Sequence, residues 1–285
     1  MSTPPLLALH DVHYRYADGS GGLFGCSLRI APGSRNALLG ANGSGKTTLL
    51  MQAIGLLRPQ AGHLEFAGQP LDYRRAGLNS LRRRVGLVFQ NPDRQLFAAT
   101  VAEDVSYGPL NLDLPEATVR RRVAEALAAV GLADHADCPL HQLSFGQKKR
   151  VCIAGVLAMQ PELLLLDEPM AGLDAAMQEE LLDILDALSA QGITMVLSTH
   201  DVDFAYRWAD AIHVLAAGRC TASFASEALT DHAPALLAAG QPLPGVLALH
   251  GELMRHGLLR HGQALRSLSS LLEQLAKETP ACKNP

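Results

Sequence analysis

The stretch RNALLGANGSGKTTLLMQAIG, residues 35–55, decides the fold of this chain of 285 residues. A short apolar run leads into a glycine-rich segment, and a helical pattern follows. Residues 40–47 fit the pattern GxxxxGK[ST] of a phosphate-binding loop, in the strand–loop–helix context that the pattern requires. Glycines let backbone N–H groups turn inward around phosphates, and the helix N-terminus adds its positive end. The sequence therefore predicts a site for nucleotide phosphates here.

Two side chains of this loop carry most of the expected chemistry. Lys46 can reach the β- and γ-phosphates, and Thr47 can place its hydroxyl on Mg²⁺. The predicted nucleotide contacts in the loop are Gly40, Asn42, Gly43, Ser44, Gly45, Lys46, Thr47 and Thr48. Asn36 is a polar residue in the preceding apolar run, and the sequence offers no reason for it.

A second motif, LLLLDEP at residues 163–169, predicts a pair of carboxylates at the end of a buried strand. Ligands of open α/β sheets bind at the carboxyl ends of strands. We expect Asp167 to hold Mg²⁺ and Glu168 to orient or deprotonate the attacking water near the γ-phosphate. Alone, such a pair could also cap the next segment. Together with the loop at Gly40 it indicates a nucleotide-hydrolysing site.

The surrounding pattern predicts a mostly parallel α/β sheet. VGLVFQ, ELLLLDEP and GITMVLSTH are apolar runs typical of strands buried on both faces. Amphipathic helical segments lie between them, as in βαβ units. One predicted helical stripe consists of Met177, Leu181, Ile184 and Leu188.

Other segments depart from this alternation. RPQAGHLEFAGQPL is typical of short antiparallel strands near the N-terminus, and residues from about 100 to 150 are predicted to be a helical insertion. Within it, PEATVRRRVAEALAAVGL predicts a helix with Pro115 at its first position. The apolar face of that helix comprises Val119, Val123, Leu127 and Val130. The composition changes after about residue 220, so we predict a domain of residues 1–220 and a small C-terminal extension of residues 221–285.

The bulk composition excludes several function classes. The net charge is −4, which gives no general attraction to nucleic acid or to an anionic membrane. The five cysteines are dispersed without CxxC spacing, which favours reduced thiols in a cytosolic protein. No apolar stretch is long enough to cross a bilayer and the N-terminus shows no signal-peptide pattern, so any work at a membrane is expected to go through a partner.

With the segment LSFGQKKR, residues 143–150, the sequence resembles an ABC-type ATPase over about residues 5–220. LSFGQ is similar to the family's LSGGQ signature, with Phe145 in place of the first glycine. The resemblance implies a P-loop NTPase core with ATP and Mg²⁺ as its ligands. It identifies Gln90 as the Q-loop glutamine that contacts Mg²⁺ and the water, and His200 as the switch histidine. Tyr16 is the aromatic residue expected to stack on adenine, with Tyr14 as the alternative.

The resemblance also explains why one chain carries a second anion site. In this family two subunits pack head to tail, and each ATP lies between one subunit's phosphate loop and the other's signature helix. Ser144, Gly146 and Gln147 are therefore expected at the partner's nucleotide, while the side chain of Phe145 points away. Asp174, at the end of AGLD, is expected to contribute from the D-loop.

A narrower resemblance is to the ATPases of energy-coupling-factor importers, particularly those for cobalt. It rests on FQNPDRQLFAATVAEDVSYGPLNL and GQKKRVCIAGVLAMQPELLLLDEP. The resemblance implies a second ATPase subunit, most simply an identical one, a transmembrane scaffold subunit and a substrate-binding membrane subunit. It implies a peripheral position at the cytoplasmic face of the membrane, with cobalt favoured over nickel as the ion. Asp93, Leu96 and Phe97 are expected near a groove for the scaffold, although Leu96 or Phe97 could instead pack the insertion onto the core.

Three alternative functions remain open at the sequence level. The chain could serve an importer of a vitamin or another solute. It could be a non-transport ATPase of the same superfamily, although only 144 − 90 = 54 positions separate Gln90 from Ser144, too few for the long coiled coil of DNA-repair members. It could also bind a metal through its C-terminal histidines, whose spacing matches no compact ligand pattern: His232, His250, His256 and His261.

Overall fold

The computed structural model describes residues 4–259 and 265–278. The strands are β1 (Leu7–Arg15), β2 (Gly22–Ile30), β3 (Arg35–Leu39), β4 (Ala61–Phe66), β5 (Gln69–Pro70), β6 (Val85–Val88), β7 (Leu163–Asp167), β8 (Thr194–Thr199), β9 (Ala211–Ala216) and β10 (Arg219–Ala225). The helices are α1 (Lys46–Ala53), α2 (Arg75–Arg84), α3 (Val101–Leu110), α4 (Glu116–Ala129), α5 (Phe145–Leu157), α6 (Ala175–Ala190), α7 (Val202–Trp208), α8 (Ala233–Ala238), α9 (Gly245–Arg255) and α10 (Leu268–Glu278).

The strands form two sheets. β2, β1, β4 and β5 make an antiparallel sheet in that order, and β10, β9, β3, β8, β7 and β6 make the second sheet. In the second sheet β9, β3, β8, β7 and β6 run parallel, and only the edge strand β10 is antiparallel to its neighbour. The predicted mostly parallel core with N-terminal antiparallel strands is confirmed.

The central strands are apolar because both of their faces are covered. Leu164 and Leu166 pack into one hydrophobic core, while Leu163 and Leu165 pack into the other. Successive side chains of a strand point to opposite faces, so a continuous run of leucines supplies both cores at once. The first core joins the sheet to the helical insertion and to α6, and the second lies between the two sheets.

The insertion consists of α3, α4 and α5, as the absence of a strand pattern predicts. Val119, Val123, Leu127 and Val130 are all buried, which confirms the predicted apolar face of α4. Pro115 is the N-cap of α4 rather than its first helical residue, so the helix begins one residue later than predicted. An N-cap takes extended dihedral angles, and the residue's ψ of 140° fits them.

The second sheet continues beyond residue 220. β10 pairs with β9 from Arg219 to Ala225, so the sheet ends five residues after the predicted domain boundary. Most residues of β10 are small or polar, and only one of them is buried. This edge strand therefore lacks the continuous apolar run that marks the central strands. The described residues after Ala225 lie mainly in short helical segments, and no helix of the described ranges is long and apolar enough to cross a membrane.

Asn36 has a structural explanation that the sequence did not reveal. Its side-chain amide donates to the carbonyl oxygens of Ser34 and Met195 at 3.1 Å each. Its Oδ1 lies 3.2 Å from Nε2 of the buried His213, whose Nδ1 lies 2.8 Å from Ser223 Oγ. Asn36 on β3 therefore gives hydrogen-bond partners to the buried imidazole of His213 on β9 and to the Met195 carbonyl on β8.

Candidate functional site

Four neighbouring parallel strands bring the phosphate loop, the acidic pair, Gln90 and His200 to one edge of the sheet. β3 leads into the phosphate loop, and β8 ends one residue before His200. β7 ends at Asp167, with Glu168 next, and β6 ends two residues before Gln90. Because these strands are adjacent and parallel, their carboxyl ends meet at the same place.

A cleft of about 250 Å³ lies at this edge. Its lining comprises Tyr16, Ser20, Gly21, Gly22, residues 42–48, Gln90 and Glu168. The loop residues, the glutamine, the glutamate and the tyrosine predicted from separate motifs thus surround one space. Ser144, Gly146 and Gln147 do not line it, and border a separate pocket.

The glycines of the loop are required by its path. Gly45 is the N-cap of α1 with φ 106°, a left-handed conformation that L side chains rarely adopt. A Cβ at Gly40 would lie 2.3 Å from the carbonyl oxygen of Leu215 and 2.6 Å from Ser44 Oγ. The loop therefore keeps its backbone tightly curved at the start of α1, where N–H groups can face an anion.

Lys46 is buried within the loop. Its Nζ donates to the carbonyl oxygens of Gly40 at 2.7 Å and Ala41 at 3.2 Å. The same ammonium lies 3.3 Å from Glu168 Oε1, and the Lys46 side chain is only 5% exposed. Ser44 Oγ is buried and makes no hydrogen bond within the part of the chain that the structure describes. A buried cation and an unsatisfied hydroxyl in this loop fit the phosphates of ATP.

Asp167 and Thr47, two of the residues predicted to hold magnesium, lie next to each other. Thr47 Oγ1 donates to Asp167 Oδ2 at 2.8 Å. Ser198 of β8 donates its hydroxyl to Asp167 Oδ1 at 2.6 Å, which orients the carboxylate. A carboxylate beside a threonine hydroxyl is the oxygen donor set that Mg²⁺ takes next to phosphates. The residues present therefore fit this ion.

Glu168 has an uncommon backbone conformation. Its φ is 46°, in the left-handed region, where a non-glycine residue is strained and is retained when the surroundings fix it. Its N–H donates to Ser198 Oγ at 2.9 Å. Its Oε2 lies 3.0 Å from His200 Nδ1, while His200 itself is 62% exposed. Ser198 thus positions both acidic residues, and the sequence motifs did not single it out.

The signature segment begins a helix with reciprocal capping. Ser144 Oγ accepts from the N–H of Gln147 at 3.2 Å, and Gln147 Oε1 accepts from the N–H of Ser144 at 2.9 Å. Within its own chain Gln147 is thus a capping residue. Because Ser144 uses its oxygen as an acceptor, its hydroxyl hydrogen can be donated to another group. Gly146 lies against Met177, whose Sδ would be 2.9 Å from a Cβ at that position.

Phe145 and Asp174 both contact residues of their own chain outside the nucleotide cleft. The Phe145 ring is 40% exposed and lies on Gly172, where a Cβ would be 3.0 Å from its Cε1. Asp174 caps α6, since its Oδ1 accepts from the N–H of Met177 at 2.8 Å. Neither residue lines the nucleotide cleft of its own chain.

Lys149 connects the signature helix to the acidic pair, and sequence reasoning missed it. It is 3% exposed, and its Nζ donates to the carbonyl oxygens of Pro169 at 2.5 Å and Ala171 at 2.7 Å. Burial lowers its pKa to about 8. The turn directly after Glu168 is therefore anchored to α5. No local pattern distinguishes Lys149 from the neighbouring Lys148.

Tyr16 follows β1 at the mouth of the cleft. Its hydroxyl lies 3.4 Å from Thr48 Oγ1 on α1, and its ring meets Tyr14 edge to face. Of the two tyrosines, only Tyr16 lines the cleft. This arrangement favours Tyr16 over Tyr14 as the residue beside a bound base.

The chain is similar to proteins of one known family. Residues 23–171 match the family described as ABC transporter. The chain is 49% identical over 245 residues to the cobalt import ATP-binding protein CbiO of Rhodobacter capsulatus, covering 86% of this chain and 88% of that protein. It is 48% identical over 209 residues to the energy-coupling factor transporter ATP-binding protein EcfA of Methanocaldococcus jannaschii, covering 73% and 75%.

A solved structure is also similar over most of its length. CbiO1 of Clostridium perfringens, described as part of the ABC transporter complex CbiONQ, superposes with a TM-score of 0.75 at 40% sequence identity. The match covers 88% of this chain and 99% of that one.

Proposed function

Because the chain belongs to the ABC transporter family of ATPases, we propose that it powers the uptake of a transition-metal ion as the ATP-hydrolysing subunit of an energy-coupling-factor importer. The observation that carries the ATP-hydrolysing part of this proposal is the cleft in which Lys46, Glu168 and Gln90 surround one space. Cobalt is the favoured ion, as named for the Rhodobacter relative, and nickel is next. Relatives named EcfA carry no substrate in their names, so another small solute is the alternative.

Binding of ATP requires Lys46 to change partners. The loop carbonyls and Glu168 now surround its ammonium, and the β- and γ-phosphates would replace them. The N–H groups at the start of α1 and the Ser44 hydroxyl add uncharged donors. Tyr16 would hold the adenine at the mouth of the cleft. Mg²⁺, when bound, would neutralise charge on the phosphate oxygens, with Thr47, Asp167 and Gln90 on its side of the cleft.

Hydrolysis then depends on Glu168. Once Lys46 contacts phosphate, the Glu168 carboxylate is released from its ion pair and can accept a proton from the attacking water. His200 is within hydrogen-bonding distance of the same carboxylate and can contact the γ-phosphate from the other side. Ser198 fixes the positions of both acidic residues, because its hydroxyl accepts from the Glu168 N–H and donates to the Asp167 carboxylate. The products are ADP and inorganic phosphate.

A second ATPase subunit would complete each site. Ser144, Gly146 and Gln147 lie outside the cleft of their own chain, and the start of α5 offers free N–H groups and the Ser144 hydroxyl. In a head-to-tail dimer these groups would face the partner's γ-phosphate, with Asp174 near the contact. A homodimer is the simplest such assembly.

A groove beside the insertion is suited to the membrane scaffold. It has a volume of about 570 Å³ and is lined by Asp93, residues 96–100, residues 139–141 and Lys148. Leu96 packs against the core, whereas Phe97 is 65% exposed and meets Tyr107 edge to face. An exposed aromatic pair beside a charged rim fits a helix from a partner that presents an apolar face. This contact would hold the chain at the cytoplasmic side of the membrane.

Uptake measurements in cells test the function. Cells lacking their own importer would receive the complete transporter with either the wild-type chain or Glu168→Gln. We expect radioactive cobalt, and nickel less efficiently, to accumulate only with the wild-type chain. Accumulation of a vitamin without either metal would favour the alternative substrate, and ion uptake that is unaffected by Glu168→Gln would contradict the proposal.

A further inference from the structure

We infer that His10, His63 and Glu65 form a binding site for a divalent transition-metal ion on the antiparallel sheet. Among residues 4–259 and 265–278 this is the only group of three histidine, cysteine or acidic side chains whose ligand atoms all lie within 4.8 Å of one another. None of its residues lines the nucleotide cleft, and none is among the C-terminal histidines, of which His261 lies outside the described residues. The inference does not depend on the proposed transport function.

Strand register brings the three side chains together. β1 and β4 are antiparallel, and His10 lies directly opposite His63. Glu65 is two residues beyond His63, so it projects from the same face of β4. Directly opposed residues have Cβ atoms about 5 Å apart, and diagonal neighbours remain within reach of long side chains. The arrangement is therefore set by the backbone rather than by mobile loops.

A glycine fixes the approach of the two strands at this point. Gly62 has φ 76°, and a Cβ there would lie 2.4 Å from the carbonyl oxygen of His10 and 2.2 Å from that of Asp11. The register of β1 shifts immediately after His10. Only glycine permits this contact, and the next residue is His63. The backbone thus holds His63 close to His10 before any ion arrives.

The distances suit first-row transition ions. His10 Nε2 lies 3.4 Å from Glu65 Oε2, and His63 Nε2 lies 3.5 Å from Glu65 Oε1. Two ligand atoms at about 2.1 Å from a tetrahedral ion are about 3.4 Å apart. His10 Nε2 is buried and makes no hydrogen bond to any described residue. This nitrogen is therefore available as a ligand.

The imidazole rings need only a small adjustment. They stack with centroids 4.6 Å apart and planes 11° from parallel, and ligation of one ion requires their Nε2 atoms to converge. His63 is 55% exposed, so it has room to turn. Its exposure also leaves open positions at the ion for water.

The donor set selects the class of ion. Two imidazoles and one carboxylate suit Zn²⁺, Co²⁺ or Ni²⁺, whereas Mg²⁺ and Ca²⁺ prefer oxygen ligands alone. A bound ion would connect β1 to β4 within the antiparallel sheet. Tyr16 at the nucleotide cleft directly follows β1, six residues after His10, so the ion would stabilise the strand that leads to the proposed adenine contact.

Calorimetric titration of the purified full chain with Zn²⁺, after treatment with a chelator and in excess Mg²⁺, tests the site. The variants are His63→Ala and Glu65→Gln, and the matched control is His13→Ala, a partly exposed histidine of β1 that pairs with Asp11 instead. We expect one site in the wild type and in the control. Removal of a ligand should weaken binding by about tenfold or more, since even outer partners of metal ligands contribute ten- to a hundredfold.

Thermal unfolding supplies a second readout. Zn²⁺ should raise the Tm of the wild type and of His13→Ala, and this rise should be absent in His63→Ala and Glu65→Gln. The Tm without metal shows whether each variant is folded, and Glu65→Gln keeps the size of the side chain. Equal Zn²⁺ affinity in wild type and both ligand variants, or no Zn²⁺ binding by the wild type, would overturn the inference.

Discussion

The ammonium of Lys46 lies 3.3 Å from the Glu168 carboxylate, and both side chains are almost fully buried. Lys46 belongs to the phosphate loop and Glu168 follows β7, so this ion pair joins the group expected to bind the phosphates to the group expected to activate water. Phosphates that take Lys46 would release the Glu168 carboxylate at the same time. In the proposed mechanism, nucleotide binding would thereby be coupled to the availability of the base.

Lys46→Ala should abolish ATP hydrolysis and weaken ATP binding. The change removes the buried cation that the phosphates would contact and leaves Glu168 Oε1 without its ion pair. ATPase assays and equilibrium dialysis with ATP would measure both effects. Lys277→Ala, an exposed lysine on α10, is the matched control. Wild-type turnover by folded Lys46→Ala would refute the assignment of the loop.

His200→Ala should lower the ATPase rate by at least about tenfold while ATP still binds. His200 Nδ1 is 3.0 Å from Glu168 Oε2, and the side chain is exposed, so its removal should not disturb the core. Steady-state kinetics would show a fall in kcat. The exposed His256 serves as a control position. A rise in KM with unchanged kcat would assign His200 to binding alone.

Reversing the charge of Asp93 should uncouple transport from hydrolysis. Asp93 forms an ion pair with Lys148 at 2.8 Å, but it is 60% exposed, and such surface pairs contribute at most about 1 kcal/mol. Asp93→Lys should therefore leave the ATPase activity of the isolated chain nearly intact and impair complex assembly and ion uptake.

The double variant Asp93→Lys/Lys148→Asp separates two explanations for that result. If the groove only needs an internal ion pair, the exchange of charges restores uptake. If the scaffold recognises the Asp93 charge, uptake stays impaired. Equal losses of hydrolysis and transport in Asp93→Lys, or no loss of either, would contradict the proposed contact.

The buried His213 should make the protein less stable in mild acid. Burial lowers the pKa of His213 from 6.5 to about 4. Its Nε2–H donates to Asn36 Oδ1, and its Nδ1 accepts from the Ser223 hydroxyl, so the neutral ring is fully satisfied. Between these pH values the unfolded chain binds more protons than the folded chain. The stabilisation is therefore present above pH 6.5 and is lost as the pH falls towards 4.

The loss should be on the order of 3 kcal/mol of unfolding free energy. Urea unfolding of wild type and His213→Gln at several pH values would measure it, because carboxylates that titrate in both chains cancel in the difference. His256→Gln controls for an exposed histidine. Parallel pH dependence of the wild type and His213→Gln would contradict the assignment.

The sequence predicted the parts of the site that are local. The loop at residues 40–47, the acidic pair after β7, and His200 after β8 each sit beside an apolar strand, and parallel strands bring such ends together. Ser198 and Lys149 were missed because their roles arise from tertiary contacts: each looks like an ordinary polar residue in its own segment. The reason for Asn36 is visible only in the structure, where the buried His213 of the neighbouring strand β9 lies within hydrogen-bonding distance of its side chain.

Other features depend on strand pairing, or lie in an edge strand whose sequence pattern is weak. His10 and Glu65 are 55 positions apart, and only the pairing of β1 with β4 places them on one face. The sequence pattern shows no strand signal for β10 because β10 is an edge strand with small residues. The proposed head-to-tail site would belong to two chains. The family resemblance predicts it, whereas the geometry of a single chain shows only two separate pockets.

The molecular mass of Glu168→Gln in solution, measured by light scattering with saturating ATP and Mg²⁺, tests the central claim most directly. The glutamine occupies the space of the base without accepting a proton, so ATP should remain bound and hold two chains together. We predict twice the chain mass with ATP, the chain mass without it, and the chain mass again for Glu168→Gln/Ser144→Arg although that variant still binds ATP. A Glu168→Gln chain that stays monomeric while dialysis shows it saturated with ATP would contradict the shared site.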